Sequence, residues 1–553
     1  MRVVDSILGF FGRGQLAASK ESVSNGSDLH RSERNAVRGA YDLAQTHPEN
    51  ERHFALADNL SAKAANSPSV RGIMRRRSRY EAACNPQFKR ILKAYVKDVI
   101  GTGPRIQLAT GHEAFDHFTG KHWRRWTKSV RYVRKLRLSL RGRVVNGESF
   151  RQRITNPELS TAVKLDIKPF EADRCSSLFE NAADPLKVDG IDFDQYGNPQ
   201  TYWITDHPGD LSAMRWKPRP ISAKYITHWF EEEREEQVRG VPELHSSVEL
   251  MADGRRFRKA TRMKAESAAS TNGVIYADVA AGAMPDDFED GPFEFDRNTD
   301  HVMPVGWKRE EYEQKSPNDT YEMFNRETAS EAGAPLGMTA NVSTGNSSQY
   351  NFSSTRYDGE HWFGEVECQR EDCELIVVNP DFQAWFAEFI LTADYLEFTE
   401  SDLAADQGGD GTDVVTLEDA VLSVQAGDAV EWEWDGHPQV DQVKSATGSD
   451  MDIAGGRSST ETEAASYGRN ARTELAKEAK YLGMTVEQCL RGKRIQRFGF
   501  DPCDPKSMPP GSAPATPQKL DSGEKSKASQ THEDDAVPSK IRQRSRVPAG
   551  GSV

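Results

Sequence analysis

Cysteine is scarce in this chain of 553 residues, which holds six of them, scattered from Cys84 to Cys503. Such scattering does not favour a disulfide framework. Cys368 and Cys373 are close together, but no second Cys/His pair stands at zinc spacing, so we interpret both as ordinary thiols. No apolar run reaches the about 20 residues that a membrane-spanning helix needs, and the short apolar opening lacks a signal-peptide cleavage pattern. We therefore expect no membrane association, and a reducing cytoplasm or a particle assembled there.

The motifs of common enzyme classes are also missing. The sequence has no Walker A motif, no zinc-ligand set and no Gly-x-Ser-x-Gly nucleophile motif. His112 and His117 invite a metalloprotease interpretation, but that motif needs histidines four residues apart to place both on one helix face, and these are five apart. We therefore expect no enzymatic activity, no metal and no cofactor.

Apolar residues and net positive charge are both in short supply. Hydrophobic residues make up 37% of the chain, charged residues 28%, and the formal net charge is −14. This balance favours an extended subunit, one with disordered ends, or one that buries surface only on assembly. A generic nucleic-acid binder is normally basic, so the charge argues against that class. It does not exclude a protein that encloses DNA while repelling it.

The basic residues that are present concentrate in residues 121–143, which hold ten Lys or Arg and no acid. Trp123, Trp126 and Tyr132 are interleaved with them, and single-strand binders use cations for the backbone and aromatic rings for the bases. Two alternatives remain open. One is an amphipathic helix with its tryptophans in a core and its arginines in solvent, and the other is contact with an acidic neighbouring subunit.

Periodicity and turn residues predict the elements of the first half. Two helices are expected on either side of Asn85-Pro86. Asn146-Gly147 indicates a hairpin turn, and strand-like alternation follows over roughly 162–230. A helical pattern then resumes, in which Arg255, Arg258 and Arg262 align on one face beside Lys259. That basic stripe is either a solvated helix face or a surface that faces DNA.

A polar stretch, residues 341–355, carries no charge, and its only large side chains are Tyr350 and Phe352. Composition alone indicates a flexible surface loop. Each Lys or Arg placed on a phosphate releases counterions and tightens binding. The absence of charge therefore also suits a loop that lies close to DNA and lets it slide.

Several short segments, taken in order, resemble lambda-type tailed-phage portal proteins. They are residues 79–83, 98–105, 145–150, 228–242, 320–327, 335–338 and 345–356. The resemblance implies an α+β portal fold with a helical wing, a long stem helix, a small β-rich clip, a tunnel loop and a helical C-terminal crown. The expected boundaries are wing 66–164, clip 165–236, stem 237–275, second wing part 276–399 with tunnel loop 341–355, and acidic segment with crown helices 400–504. Composition predicts largely disordered ends over 1–65 and 505–553.

The resemblance also implies a function and a set of residues. The chain would form a homo-oligomeric ring, of twelve subunits by the resemblance, at one vertex of a phage or prophage capsid, assembled in the cytoplasm of a bacterial host. Double-stranded DNA would pass through the ring, and the terminase large subunit, capsid or scaffold proteins and head-tail connector proteins would be its partners. The alternative is a nucleic-acid-binding module built on residues 121–143. The expected channel residues are Asn346, Ser347, Ser348, Gln349, Tyr350 and Asn351 in the tunnel loop and, on the stem, Arg255, Arg258, Lys259 and Arg262.

Overall fold

The structure is a computed structural model. It describes residues 51–175, 186–205, 218–269, 273–277, 307–311, 321–348, 350–406, 415–436, 442–469, 471–498, 501 and 503. The predicted disordered tail and most of the predicted N-terminal arm lie outside these residues, as does Gln349. Two compact units divide the chain, Met1–Asn470 and Ala471–Val553.

The first unit opens with helices that break where the sequence predicts. Helix α1 (Ala62–Ala65) is a single turn, and α2 (Pro68–Cys84) and α3 (Pro86–Ile100) meet at Asn85. The Asn85 side chain accepts a hydrogen bond from the Gln87 amide at 3.1 Å, and Pro86 occupies the first helical position. Both are favourable at a helix start, so the predicted split is confirmed.

The basic segment forms two helices whose aromatic side chains are buried. After strand β1 (Arg105–Leu108) come α4 (Glu113–Ser129) and α5 (Tyr132–Asn146). Trp123 and Trp126 stack at 4.8 Å and pack with Tyr132 in the core. The interpretation as amphipathic helices is therefore confirmed. The alternative function needs these three aromatic side chains to stack on nucleic-acid bases. That hypothesis is wrong, because all three are buried and none has a face open to a base.

The predicted hairpin at Asn146-Gly147 is also wrong. Helix α5 continues to Asn146, and Gly147 follows with a φ of 87°. Glycine ends many helices in this left-handed conformation, and Asn-Gly occurs in tight hairpins for the same reason. The dipeptide therefore marks a helix end here, directly before strand β2 (Glu148–Thr155).

Two antiparallel sheets follow, in the segment where strand alternation is expected. One has the order β3-β2-β8 and the other β4-β5-β6-β7. A small second core lies between them, formed by Phe150, Tyr202, Ile204 and Ile226 among others. The strands are β3 (Leu165–Phe170), β4 (Lys187–Val188), β5 (Ile191–Phe193), β6 (Pro199–Ile204), β7 (Arg219–Ser222) and β8 (Ile226–Phe230).

The chain then returns to helices. Helix α6 (His245–Ala269) precedes a two-stranded ladder of β9 (Gly273–Ala277) and β10 (Trp307–Glu311), which the sequence analysis did not predict. Helices α7 (Tyr321–Gly333), α8 (Ala340–Thr344), α9 (Phe352–Cys373) and α10 (Asn379–Phe389) follow. A π-helical turn joins the last two. The larger core unites α3, α4, α5, α9 and α10 around buried aromatic residues.

The rest of the first unit carries the acidic segment. Helices α11 (Ala393–Asp406) and α12 (Leu417–Ala426) lead to β11 (Val430–Glu433), which pairs with β1. Helices α13 (Gln442–Ala454) and α14 (Thr460–Ser466) follow.

The second unit begins with α15 (Ala471–Leu482) and α16 (Val486–Phe498). Helix α14 ends before Gly468, which has a φ of 64°. No helix among the described residues is both long and apolar enough to cross a bilayer. The mixture of helices and small sheets agrees with the α+β class.

Candidate channel loop and stem helix

The uncharged stretch forms a short, ordered turn between two helices. Among the described residues of this stretch only 345–348, 350 and 351 are non-helical, because α8 includes Asn341–Thr344 and α9 starts at Phe352. The turn is therefore about half the length of the expected loop. Asn351 begins α9 by accepting a hydrogen bond from the Ser354 amide at 2.8 Å. The Ser348 amide donates to the Asn346 side chain at 3.0 Å. Residues 345–348 are exposed, so the turn presents amide and hydroxyl groups to its surroundings.

Arg90 of α3 holds the helix that precedes this turn. Its guanidinium group donates to the backbone carbonyls of Val342, at 3.1 Å, and Ser343. Gln87 donates to the Ser343 carbonyl as well, at 3.2 Å. These carbonyls belong to the last turn of α8, where they have no partner within the helix and where positive charge is favourable. The charge that anchors the loop thus lies beneath it, at its base.

Gly345 is required at the point where α8 becomes the loop. Its φ is 64°, a conformation that L side chains rarely adopt. A Cβ atom built on it would lie 1.7 Å from the Arg90 guanidinium. Any side chain at this position would therefore displace the cation that holds α8.

The expected channel residues of α6 divide into two groups. Arg255 forms an ion pair of 2.7 Å with the buried Glu81 of α2, and its guanidinium lies 5.1 Å from the Tyr80 ring. Arg258 donates to the Asn85 side chain at 3.4 Å. These two arginines therefore contact the neighbouring α2–α3 corner of the same chain.

Lys259 and Arg262 are exposed, and neither forms an ion pair with a described residue. Gly254 does not interrupt α6, which continues to Ala269. A Cβ atom at this glycine would lie 3.1 Å from the Thr328 side chain of α7, so the residue allows the two helices to approach closely. The stripe that the spacing predicts is thus half structural and half open to solvent.

A buried ionic junction joins the β-rich region to the helices on both sides of it. Glu148 of β2 is fully buried and accepts hydrogen bonds from the guanidinium groups of Arg75 and Arg239. The distance to Arg239 Nη2 is 2.5 Å, and His228 Nε2 and the Gly240 amide lie at 3.0 and 3.1 Å. Helix α2, strands β2 and β8 and the segment before α6 therefore converge on one carboxylate, and we call these five residues the Glu148 junction.

The junction also reaches the four-stranded sheet. Asp189 lies in the turn between β4 and β5, with a φ of 51°. Its carboxylate pairs with Arg71 of α2 at 3.2 Å, and its carbonyl accepts a hydrogen bond from Arg239. The β-rich region is thus fixed to α2 by two buried carboxylates.

The electrostatics of the Glu148 junction favour an ionised carboxylate beside a neutral imidazole. Burial alone would raise the pKa of Glu148, but Arg239 and Arg75, with the hydrogen bond from His228, hold that pKa well below its usual value. Burial lowers the pKa of His228, against the raising effect of Glu148. Sequence reasoning missed this junction, because its members are far apart in the chain and each resembles an ordinary surface charge.

Comparison with known proteins places the chain in a family. A search of curated proteins finds no match. Solved structures that resemble the chain include the neck of a native gene transfer agent (GTA) particle computed with C12 symmetry. That match has a TM-score of 0.36 and 13% identity, and it covers 68% of this chain and 98% of the other.

Two further structures resemble the chain to a similar degree. The virion of a native GTA particle matches at TM-score 0.38 and 13% identity, covering 64% of this chain and 93% of the other. The neck of an empty GTA particle, computed with C6 symmetry, matches at TM-score 0.38 and 12% identity, covering 75% and 97%. TM-scores this low carry no argument about the fold. The model of the lambda family of phage portal proteins, by contrast, matches residues 52–361, more than half of the chain, and the chain therefore belongs to that family.

Proposed function

We propose that this chain is the subunit of a ring-shaped DNA channel at one vertex of a capsid. In this proposal residues 345–351 border the DNA as the tunnel loop, and α6 is the stem. The observation that carries it is the family match over residues 52–361, which includes both elements in one continuous stretch. The ring would serve packaging, retention and ejection of the genome in the virion.

The chemistry of the loop supports this role. A channel wall that let DNA slide would expose few cations, since each cation on a phosphate strengthens binding. The exposed residues 345–348 present amide and hydroxyl groups and no cation, and Arg90, which anchors the loop, is engaged by carbonyls at its base. On the proposed stem, Lys259, Arg262 and Lys264 are exposed, and none forms an ion pair with a described residue, so they can contact DNA. Arg255 and Arg258 instead hold the stem to α2 and α3.

The remaining parts follow the same assignment. The two sheets between 165 and 236 would be the clip, and the helices around the larger core the wing. The terminase large subunit, which would supply the ATPase, and head-tail connector proteins would dock on the ring, and capsid or scaffold proteins would surround it. The buried junction at Glu148 would join clip, wing and stem into one rigid piece, so that a force on the clip is transmitted to the other two.

Two measurements on the full-length protein test this proposal. Native mass spectrometry with negative-stain imaging should show a closed ring, of about twelve subunits by family resemblance, with a central hole. A protein that remains monomeric at every concentration and salt condition would contradict the proposal.

The second measurement adds positive charge to the loop. In the variant Ser347→Lys/Ser348→Lys the ring should assemble as before, because both positions are exposed. DNA should bind the ring more tightly and with a steeper salt dependence, by roughly one unit of slope for each phosphate neutralised. The matched control is Ser347→Gln/Ser348→Gln, which adds length without charge. An unchanged salt slope in rings of the lysine variant would show that the loop does not border DNA.

A further inference from the structure

The outer face of α5 carries a row of cations that the chain itself does not neutralise. Arg134, Arg137 and Arg141 are exposed, and none of them forms an ion pair with a described residue. Their spacings of three and four residues put them side by side, where like charges repel and weaken a helix. On the inner face of the same helix, Lys135 pairs with Asp166 and Arg143 with Glu243. The cations on the inner face are therefore paired with acids of the same chain, whereas on the outer face Arg137 donates only to the Gly101 carbonyl, at 2.9 Å.

An apolar side chain lies among these cations. Leu138 is 58% exposed, although the fold has buried Leu136 and Leu140 on the other side of the helix. An apolar centre with a charged rim is the usual arrangement of a protein–protein interface. We call Arg134, Arg137, Leu138 and Arg141 the α5 basic face. These four residues line one wall of a cleft of about 1390 Å³. Acids of the same chain also line this cleft, Glu360 and Glu367 of α9 among them, but none forms an ion pair with Arg134, Arg137 or Arg141.

The complementary surface is present on the same chain. Residues 400–441 contain twelve Asp or Glu and no Lys or Arg. In α11 and α12, Glu397 and Glu418 are exposed and form no ion pair with a described residue. Leu396 is 55% exposed and Leu422 is 60% exposed, so these helices also combine acids with uncovered leucines. Within its own chain α12 packs with its other side, through the buried Ala420 and Val424.

From this complementarity we propose that the α5 basic face docks on helices α11 and α12 of a second copy of this chain. The two surfaces differ, so each subunit offers one to each neighbour. A repeated contact of this kind gives a ring when the rotation between subunits closes, as the proposed channel requires. The inference rests on the proposed ring and names the surfaces that close it. A nucleic acid would also fit the cations, but it would leave the exposed leucines and the acids of α11 and α12 without partners.

Charge reversal on either surface tests the contact. Arg134→Glu/Arg141→Glu should raise the protein concentration needed for half-assembly by about tenfold or more, and Glu397→Lys/Glu418→Lys should do the same. The chain that carries all four substitutions should assemble within about threefold of the wild type, because its two surfaces are complementary again. Ring formation is followed by sedimentation velocity and native mass spectrometry. Thermal unfolding by circular dichroism verifies that each variant is folded.

The matched control is Arg76→Glu/Arg77→Glu, an equal change of charge at exposed positions of α2. It should leave assembly unchanged, and an equal loss in this control would show that net charge, not the α5 basic face, governs assembly. If the wild type forms rings and Arg134→Glu/Arg141→Glu assembles equally well, the proposed contact is wrong and the proposed ring stands. A wild-type protein that forms no ring would overturn both. If the reversal leaves rings intact but abolishes DNA binding, the face belongs to nucleic acid and the proposal is wrong.

Discussion

The Glu148 junction and the loop at 345–351 handle charge in opposite ways. At the junction a fully buried carboxylate meets two guanidinium groups and an imidazole, and the contacts join four parts of the chain. At the loop no side chain is charged, the surface is exposed, and the nearest cation is bound to carbonyls at the base.

The difference follows from what each region has to resist. A buried ionic cluster is costly to form but even costlier to break, because a lost partner leaves an unpaired charge without water. It therefore favours one geometry strongly. An uncharged exposed loop contributes little to folding and leaves its surface free of strong attraction to a polyanion. The junction thus fixes the sheets rigidly to the helices, whereas the loop attracts a polyanion such as DNA only weakly.

Removing the central carboxylate should have the largest effect. Glu148→Gln removes the carboxylate that Arg75 and Arg239 share, and Arg75 keeps only its ion pair with Asp173 at 3.2 Å. We therefore expect the free energy of unfolding to fall by about 3–5 kcal/mol. Denaturant unfolding measures the change. Glu235→Gln is the matched control, because Glu235 is exposed and its substitution should change stability by less than about 0.5 kcal/mol. Equal effects of the two substitutions would mean that the junction does not stabilise the fold.

Acid should weaken the same junction in two stages. Burial lowers the pKa of His228, so the unfolded chain takes up that proton first as the pH falls below about 6.5. The unfolded state then binds more protons than the folded state, and the free energy of unfolding decreases. Glu148 is the second stage. Burial would raise its pKa, but its cationic partners hold it well below the ordinary value, so stability decreases further below about pH 4.3.

Unfolding free energies measured from about pH 8 to about pH 3 check both stages. In His228→Gln the decrease between about pH 6.5 and pH 5 should be smaller than in the wild type, because the buried imidazole is gone. The decrease nearer pH 4 should remain. A variant with the wild-type pH profile throughout would show that His228 does not contribute to the first stage.

The sequence alone predicts the uncharged loop but not the Glu148 junction. The uncharged loop is visible in the sequence, since neutrality is a property of adjacent residues, and the helix break at Asn85-Pro86 is equally local. The junction is not local, because Glu148 lies 73 and 91 residues from Arg75 and Arg239. Only the fold brings these groups together. Glu148 and Arg239 lie in segments 145–150 and 228–242, which resemble portal proteins, but the resemblance does not indicate that the two side chains meet.

The basic segments likewise show that local sequence does not determine contacts between distant residues. Helical spacing correctly predicts which side chains share a face, but it does not say what that face contacts. Arg255 belongs to the predicted stripe, yet its partner Glu81 lies 174 residues earlier in the chain. In the segment 121–143 the spacing of Trp123 and Trp126 fits both a core and a base-stacking surface, and only their burial decides for the core.

The smallest of the three effects on stability should come from the anchor of the loop. Arg90→Ala removes the charged hydrogen bonds to the last carbonyls of α8, which should cost about 1–2 kcal/mol. Lys89→Ala is the matched control, because Lys89 is the exposed neighbour on α3, and we expect it to change stability by less than about 0.5 kcal/mol. The loss should be local, since Arg90 holds α8 and does not contact the Glu148 junction.

Hydrogen exchange distinguishes a local loss from a global one. In Arg90→Ala the amides of residues 343–348 should exchange roughly tenfold faster, because local opening no longer breaks the contacts with α3. The amides of β2 should keep wild-type rates. Equal acceleration in both regions would mean that loop and junction open as one unit, and the contrast between them would then lie in their charge alone and not in their stability.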